Sequence, residues 1–165
     1  MTSLSDSEDS TASNTVAIKR LARAMMLATG EFALILACCN SVTSQEQVVN
    51  LLKESSSADI QEIFLPTGAE TLYTTITSLL GDAQPEVLIV RGLESVEGIN
   101  QLLISTNMTR NEFRKQLNFP LVLWVNDDIL CKLVWLAPDF KDWAASTIRF
   151  DAPNNLLIDQ TALSA

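Results

Sequence analysis

Apolar residues in this chain follow two rhythms that alternate along its length. Short continuous runs lie in FALILAC (Phe32–Cys38), ADIQEIFLP, EVLIVRG, FPLVLWVND and STIRFD. Runs of this length without polar interruption mark strands buried on both faces of a sheet. Between them the apolar positions recur every three or four residues. Ile18, Leu21, Ala22 and Met25 build one face of a helix expected from about Thr15 to Ala28. Val48, Val49, Leu51 and Leu52 do the same in the next helix, and Leu72, Tyr73, Ile76, Leu79 and Leu80 in the one after it.

The punctuation agrees with this division. Gly30 and Gly81 suit helix ends, and Pro66 and Pro138 stop a strand and a helix. Capping boxes are expected at Thr43 with Glu46 and at Thr109 with Glu112, the second marking a break inside the helical region Ser95–Asn118. Asn126 or Asp127 is expected to cap the helix DILCKLVWLA. Strands alternating with helices predict an α/β three-layer sandwich around a five-stranded, mainly parallel sheet. Residues 1–14 are Ser, Thr and acid and read as a disordered tail; residues 15–151 form a single α/β domain. Residues 152–165 read as a C-terminal tail with no clear period beyond NLLI.

Composition narrows the task. The chain has 165 residues, enough for one full hydrophobic core, and no apolar run long enough to span a bilayer. No secretory signal opens the sequence, so a cytoplasmic location is expected. A net charge of −9 would repel nucleic acid and anionic membrane, so neither is expected as a partner. Two basic groups, Lys19, Arg20 and Arg23 on one helix and Arg110, Arg114 and Lys115 on another, read as solvated helix faces. The three cysteines, Cys38, Cys39 and Cys131, read as small core residues in a reducing compartment. With no histidine and adjacent Cys38 and Cys39 on opposite faces of a strand, no metal site is expected. The usual base for a Ser or Cys nucleophile is missing as well.

Ligands of parallel sheets collect at the carboxyl ends of the strands, so chemistry is sought there. A phosphate loop after the first strand needs glycines for its backbone cradle, with a Lys and a Ser or Thr. None of the five glycines lies between Glu31 and Thr67, and CCNSVTSQ holds no Lys or Arg. At the end of the third strand, where a nucleotide hydrolase carries a magnesium-binding acid, stands Arg91. An alternative polar cleft of Glu94, Asn126, Asp127 and Asp128 would offer oxygen ligands to a divalent ion, although Asn and Asp there also suit a plain helix cap. Arg149, inside the fifth strand, is expected to pair with a neighbouring acid.

GEFALILACCN, LYTTI, LIVRGLESV and FPLVLWVNDDILCKLVWLAPDFKDWAASTIRF together resemble a bacterial module. It is similar to the ATPase-like segment of multidomain, often cyanobacterial, STAND-type proteins (signal-transduction ATPases with numerous domains). The most specific element is LAPDFxxW, here Leu136–Phe140 with Trp143. The resemblance implies a P-loop-NTPase-like strand order of 5-1-4-3-2. It also places the chain with degenerate modules that keep the sheet without the phosphate loop. No catalytic residue carries over, and no cofactor is expected. What it implies is a non-catalytic interaction or regulatory module in signalling or conflict-response assemblies, with a repeat-containing or effector protein as partner. The alternative is an NTP-binding or hydrolysing protein using the carboxylate cleft. Phe140, Trp143 and Trp135 are the candidate docking residues, although a core-closing corner is the favoured reading of Phe140 and Trp143.

Overall fold

The computed structural model describes the backbone of residues 2–150 and the side chains from Asn14 to Phe150. The strands are β1 (Ala33–Cys38), β2 (Ile60–Phe64), β3 (Val87–Arg91), β4 (Pro120–Val125) and β5 (Thr147–Arg149). They form one sheet in the order β2-β3-β4-β1-β5, the expected order read from the other edge. Every pairing is parallel, β1 against β4 in register from Ala33↔Pro120 to Cys38↔Val125. The central strands β1, β3 and β4 are the most apolar runs and are buried almost throughout; β2, at the edge, is only partly covered.

The helices are α1 (Thr2–Leu27), α2 (Val42–Ser55), α3 (Leu72–Leu80), α4 (Ile99–Met108), α5 (Arg110–Gln116), α6 (Asp127–Leu136) and α7 (Pro138–Lys141), with a 3₁₀ turn at Leu93–Ser95. Alternation along each strand feeds two cores. Leu34, Leu36 and Cys38 face the side covered by α3 to α7. Ile35, Ala37 and Cys39 face the side covered by α1 and α2. Adjacent cysteines thus point to opposite faces, as the pleat requires.

Several boundaries differ from the sequence expectation. The helix before β1 begins at Thr2 rather than near Thr15, and no Gly or Pro interrupts residues 2–27. Its buried stripe is Ala17, Leu21 and Met25, with Ala22 exposed. Leu79 is likewise exposed, leaving Leu72 and Ile76 as the buried anchors of α3. The capping box at Thr43 does not form, because the link from β1 is short and α2 already opens at Val42; Ser41 caps it, accepting from the Ser44 amide at 3.2 Å. The break at Thr109 is present, but the Thr109 hydroxyl donates back to the Ser105 carbonyl at 2.8 Å instead of capping α5. Asn126 caps α6 as expected, accepting from the Ile129 amide at 2.8 Å. The tail expected from residue 152 lies outside the described residues. No helix among them is long and apolar enough to cross a membrane.

Candidate functional site

Two arrangements occupy the carboxyl ends of the strands. The first fills the place of a phosphate loop. The three residues between β1 and α2, Cys39 to Ser41, make a tight link. Gln45, buried in the first turn of α2, donates its amide to the Cys39 carbonyl at 2.9 Å and fastens that link. Side chains alternate along β3, so Arg91 falls on the α2 side with Val87 and Ile89. Its guanidinium lies beneath the first turn of α2. It donates to Glu62 Oε2 at 2.9 Å, to Gln45 Oε1 at 3.4 Å and to the Val42 carbonyl at 3.5 Å. The Phe64 ring lies 4.8 Å from it. Lys53 bonds the other oxygen of Glu62 at 2.9 Å. Desolvation raises the pKa of Glu62, but the hydrogen bonds from Arg91 and Lys53 outweigh it and hold the carboxyl below its usual 4.5.

The backbone around Arg91 is equally tight. The Leu65 amide donates to the Arg91 carbonyl at 3.0 Å. Gly92 follows with φ +94°, and a Cβ there would sit 3.2 Å from the Leu65 nitrogen. Glycine at this position lets the chain leaving β2 close over the end of β3.

The second arrangement lies where the connections diverge. The chain leaves β1 for α2 on one face and leaves neighbouring β4 for α6 on the other, which is the switch point where such sheets bind ligands. Asp127 occupies it. Its Oδ1 accepts from Arg149 at 2.8 Å and its Oδ2 from Asn40 Nδ2 at 2.8 Å. Its backbone amide donates to Asn40 Oδ1 at 2.9 Å. The Cys38 thiol lies 3.5 Å from Oδ1. The bonds from Arg149, then Asn40 and Cys38, pull the Asp127 carboxyl down from 3.8 to about 2. Arg149 therefore pairs with an acid, as expected from the sequence.

Arg149→Ala should return the Asp127 pKa toward 3.8, read by a carboxyl NMR titration. A lowered folded pKa adds stability above the unfolded value and loses it as pH falls through about 2. Both side chains are more than half exposed, so solvent screening limits the stability change to about 1 kcal/mol or less.

The alternative cleft does not assemble into an ion site. Asn126 spends its oxygen on the α6 cap, and Asp127 spends both of its own on Arg149 and Asn40. Asp128 is exposed in the first turn of α6, and Glu94 is exposed on the 3₁₀ turn after β3. Among the described residues no hydrogen bond or ion pair joins Glu94 to the other three, and no three His, Cys, Asp or Glu side chains gather closely enough to hold a metal.

The candidate docking aromatics separate. Phe140 is fully buried, 5.3 Å from Phe113 and 6.0 Å from Trp143. It is a core residue, because Pro138 turns α7 back over the sheet and drives the ring inward. Trp143 is half-buried, edge-on to Phe32 and under the Arg114 guanidinium at 4.2 Å. Trp135 alone stands free, 78% exposed on α6 beside exposed Val134.

The cysteines also divide. Cys38 and Cys39 are core residues, while Cys131 is exposed on the outer face of α6, against the expectation of burial. The run DILCKLVWLA is apolar almost all round, so its period alone does not fix which side faces solvent. Burial and the Asp127 carboxylate push the Cys38 thiol up to about 11. Native protein treated with iodoacetamide at about pH 8 should take up one adduct rapidly, on Cys131, and all three only after unfolding, by intact mass.

The sequence led to Arg91 and Asp127, but not to Glu62 and Gln45, which hold Arg91; they carry no motif, and only their places on β2 and α2 bring them to it. Compared with known proteins, the chain matches no family model, no curated protein and no solved structure.

Proposed function

We propose that the chain is a non-catalytic interaction or regulatory module, built on a P-loop-like sheet of the degenerate STAND type and working through a protein partner. The supporting observation is the Arg91 arrangement. A buried guanidinium held by Glu62 and Gln45 fills the space under the first turn of α2, where a nucleotide's phosphates and metal would need to lie. The loop above it has no glycine, Ser41 already takes the Ser44 amide, and Gln45 takes the Cys39 carbonyl. Binding a nucleotide there would require expelling a paired, buried charge, which costs several kcal/mol (roughly 3–5) before any contact is gained. Isothermal titration calorimetry with ATP or GTP and magnesium should show no specific heat. A micromolar, magnesium-dependent site would reject the proposal.

The carboxylate-cleft reading, with Glu94, Asn126, Asp127 and Asp128 in an NTP-binding or hydrolysing site, finds less support, since the cap and the Arg149 pair use Asn126 and Asp127.

A further inference from the structure

The strand order creates an opening on the face opposite the aromatic core. To join β1 to β2, α2 must cross β4 and β3, whereas α1 lies along β1 and β5. The two helices therefore part toward the amino ends of the strands. Among the described residues these two helices cover this face, while five cover the other. Between their diverging ends lies a cleft of about 910 Å³, floored by Val87 at the start of β3.

The walls combine apolar surface with positive charge. Met25 and Met26 on α1 and Leu52 on α2 line the cleft, and Met26 and its neighbour Leu27 are 68% and 72% exposed at its rim. Methionine side chains adapt to varied apolar partners and recur at peptide-binding surfaces. Lys19 and Arg23 stand on the same wall, one helical turn apart. Neither is paired with a carboxylate among the described residues, although the chain as a whole carries −9. The acid that does line the cleft, Glu86, accepts from the Asp59 amide at 3.1 Å.

We propose that this cleft receives an acidic amphipathic helix of a protein partner. Such a helix would continue the layer begun by α1 and α2, laying its apolar face on exposed Met26 and Leu27. Carboxylates one turn apart on its flank would meet Lys19 and Arg23. Helix-in-groove recognition works through this pairing of apolar anchors with flanking charge. The assignment rests on the interaction-module reading and names the surface that reading would use.

The test uses the full chain and two fluorescein-labelled helical peptides of about 18 residues, both with leucine along one face. One carries glutamate pairs one turn apart on its flank, and the other lysine at the same positions. Anisotropy should show saturable binding of the glutamate peptide, about tenfold tighter than the lysine peptide, a difference of about 1.4 kcal/mol. Lys19→Glu with Arg23→Glu should reverse that preference. Met26→Asp, at an exposed position that leaves folding intact, should weaken both peptides. Equal binding of the two peptides, no saturable binding, or saturation by dodecanoate in place of the peptide would overturn the assignment. The nucleotide titration reads separately. Peptide failure with no nucleotide binding removes only the cleft assignment, whereas nucleotide binding removes the reading beneath it.

Discussion

Phe140→Ala should lower the free energy of unfolding by about 3–5 kcal/mol, the cost of emptying a large aromatic site in a packed core. Phe140 is fully buried and joins Phe113, which in turn touches Tyr73 at 5.3 Å and Phe32 at 6.1 Å. This cluster ties α3, α5, α7 and the entry to β1 into one body, so the cavity left by truncation has rigid walls and cannot close. A docking role predicts something different, a loss of partner binding with stability unchanged. Urea denaturation separates the two. The same experiment on Trp135→Ala should move stability by less than about 0.5 kcal/mol, because that ring is solvated and touches no core.

Arg91→Ala should cost about 2–4 kcal/mol. The substitution leaves Glu62 with one cation instead of two and removes the donor to the side-chain oxygen of buried Gln45. Losing one member of a buried pair costs about 3–5 kcal/mol, and the remaining Lys53 bond offsets part of it. Arg91→Met loses the same bonds but retains stem packing against Phe64, so it should cost about 1 kcal/mol less. The pH dependence carries the signature of the pair. Glu62 has a lowered folded pKa, so its contribution is present above the unfolded value near 4.5 and is lost as pH falls through the folded one. The gap between wild type and Arg91→Ala should therefore narrow as pH drops below 4.5, in urea titrations across that range.

The fold could be read from the sequence because its central strands are uninterrupted apolar runs, with nearly every position buried in β1, β3 and β4. The Asn126 cap could be read for a local reason: the residue and the amide it binds are three positions apart. Caps failed where spacing left two solutions. Ser41 and Thr43 both precede an apolar helix, and the short link from β1 decides for Ser41. The site was legible only in part, since what fixes it is non-local. Glu62 reaches Arg91 because β2 lies beside β3 with Phe64 in register with Arg91, and the alternation of β2 puts Glu62 on the same face as Phe64. Asn40 and Asp127 are 87 positions apart and meet through the pairing of β1 with β4. The cleft between α1 and α2 follows from strand order, which no local period encodes.

A non-catalytic role requires that the protein's own groups close the carboxyl edge to nucleotides. The most direct measurement follows the backbone amides of Asn40–Gln45 and Asn126–Ile129 in ¹⁵N-resolved NMR spectra during titration with ATP and magnesium. With Arg91 and Asp127 held as described, those amides should keep their shifts to millimolar nucleotide. Saturable, magnesium-dependent shifts concentrated in these two segments would contradict it.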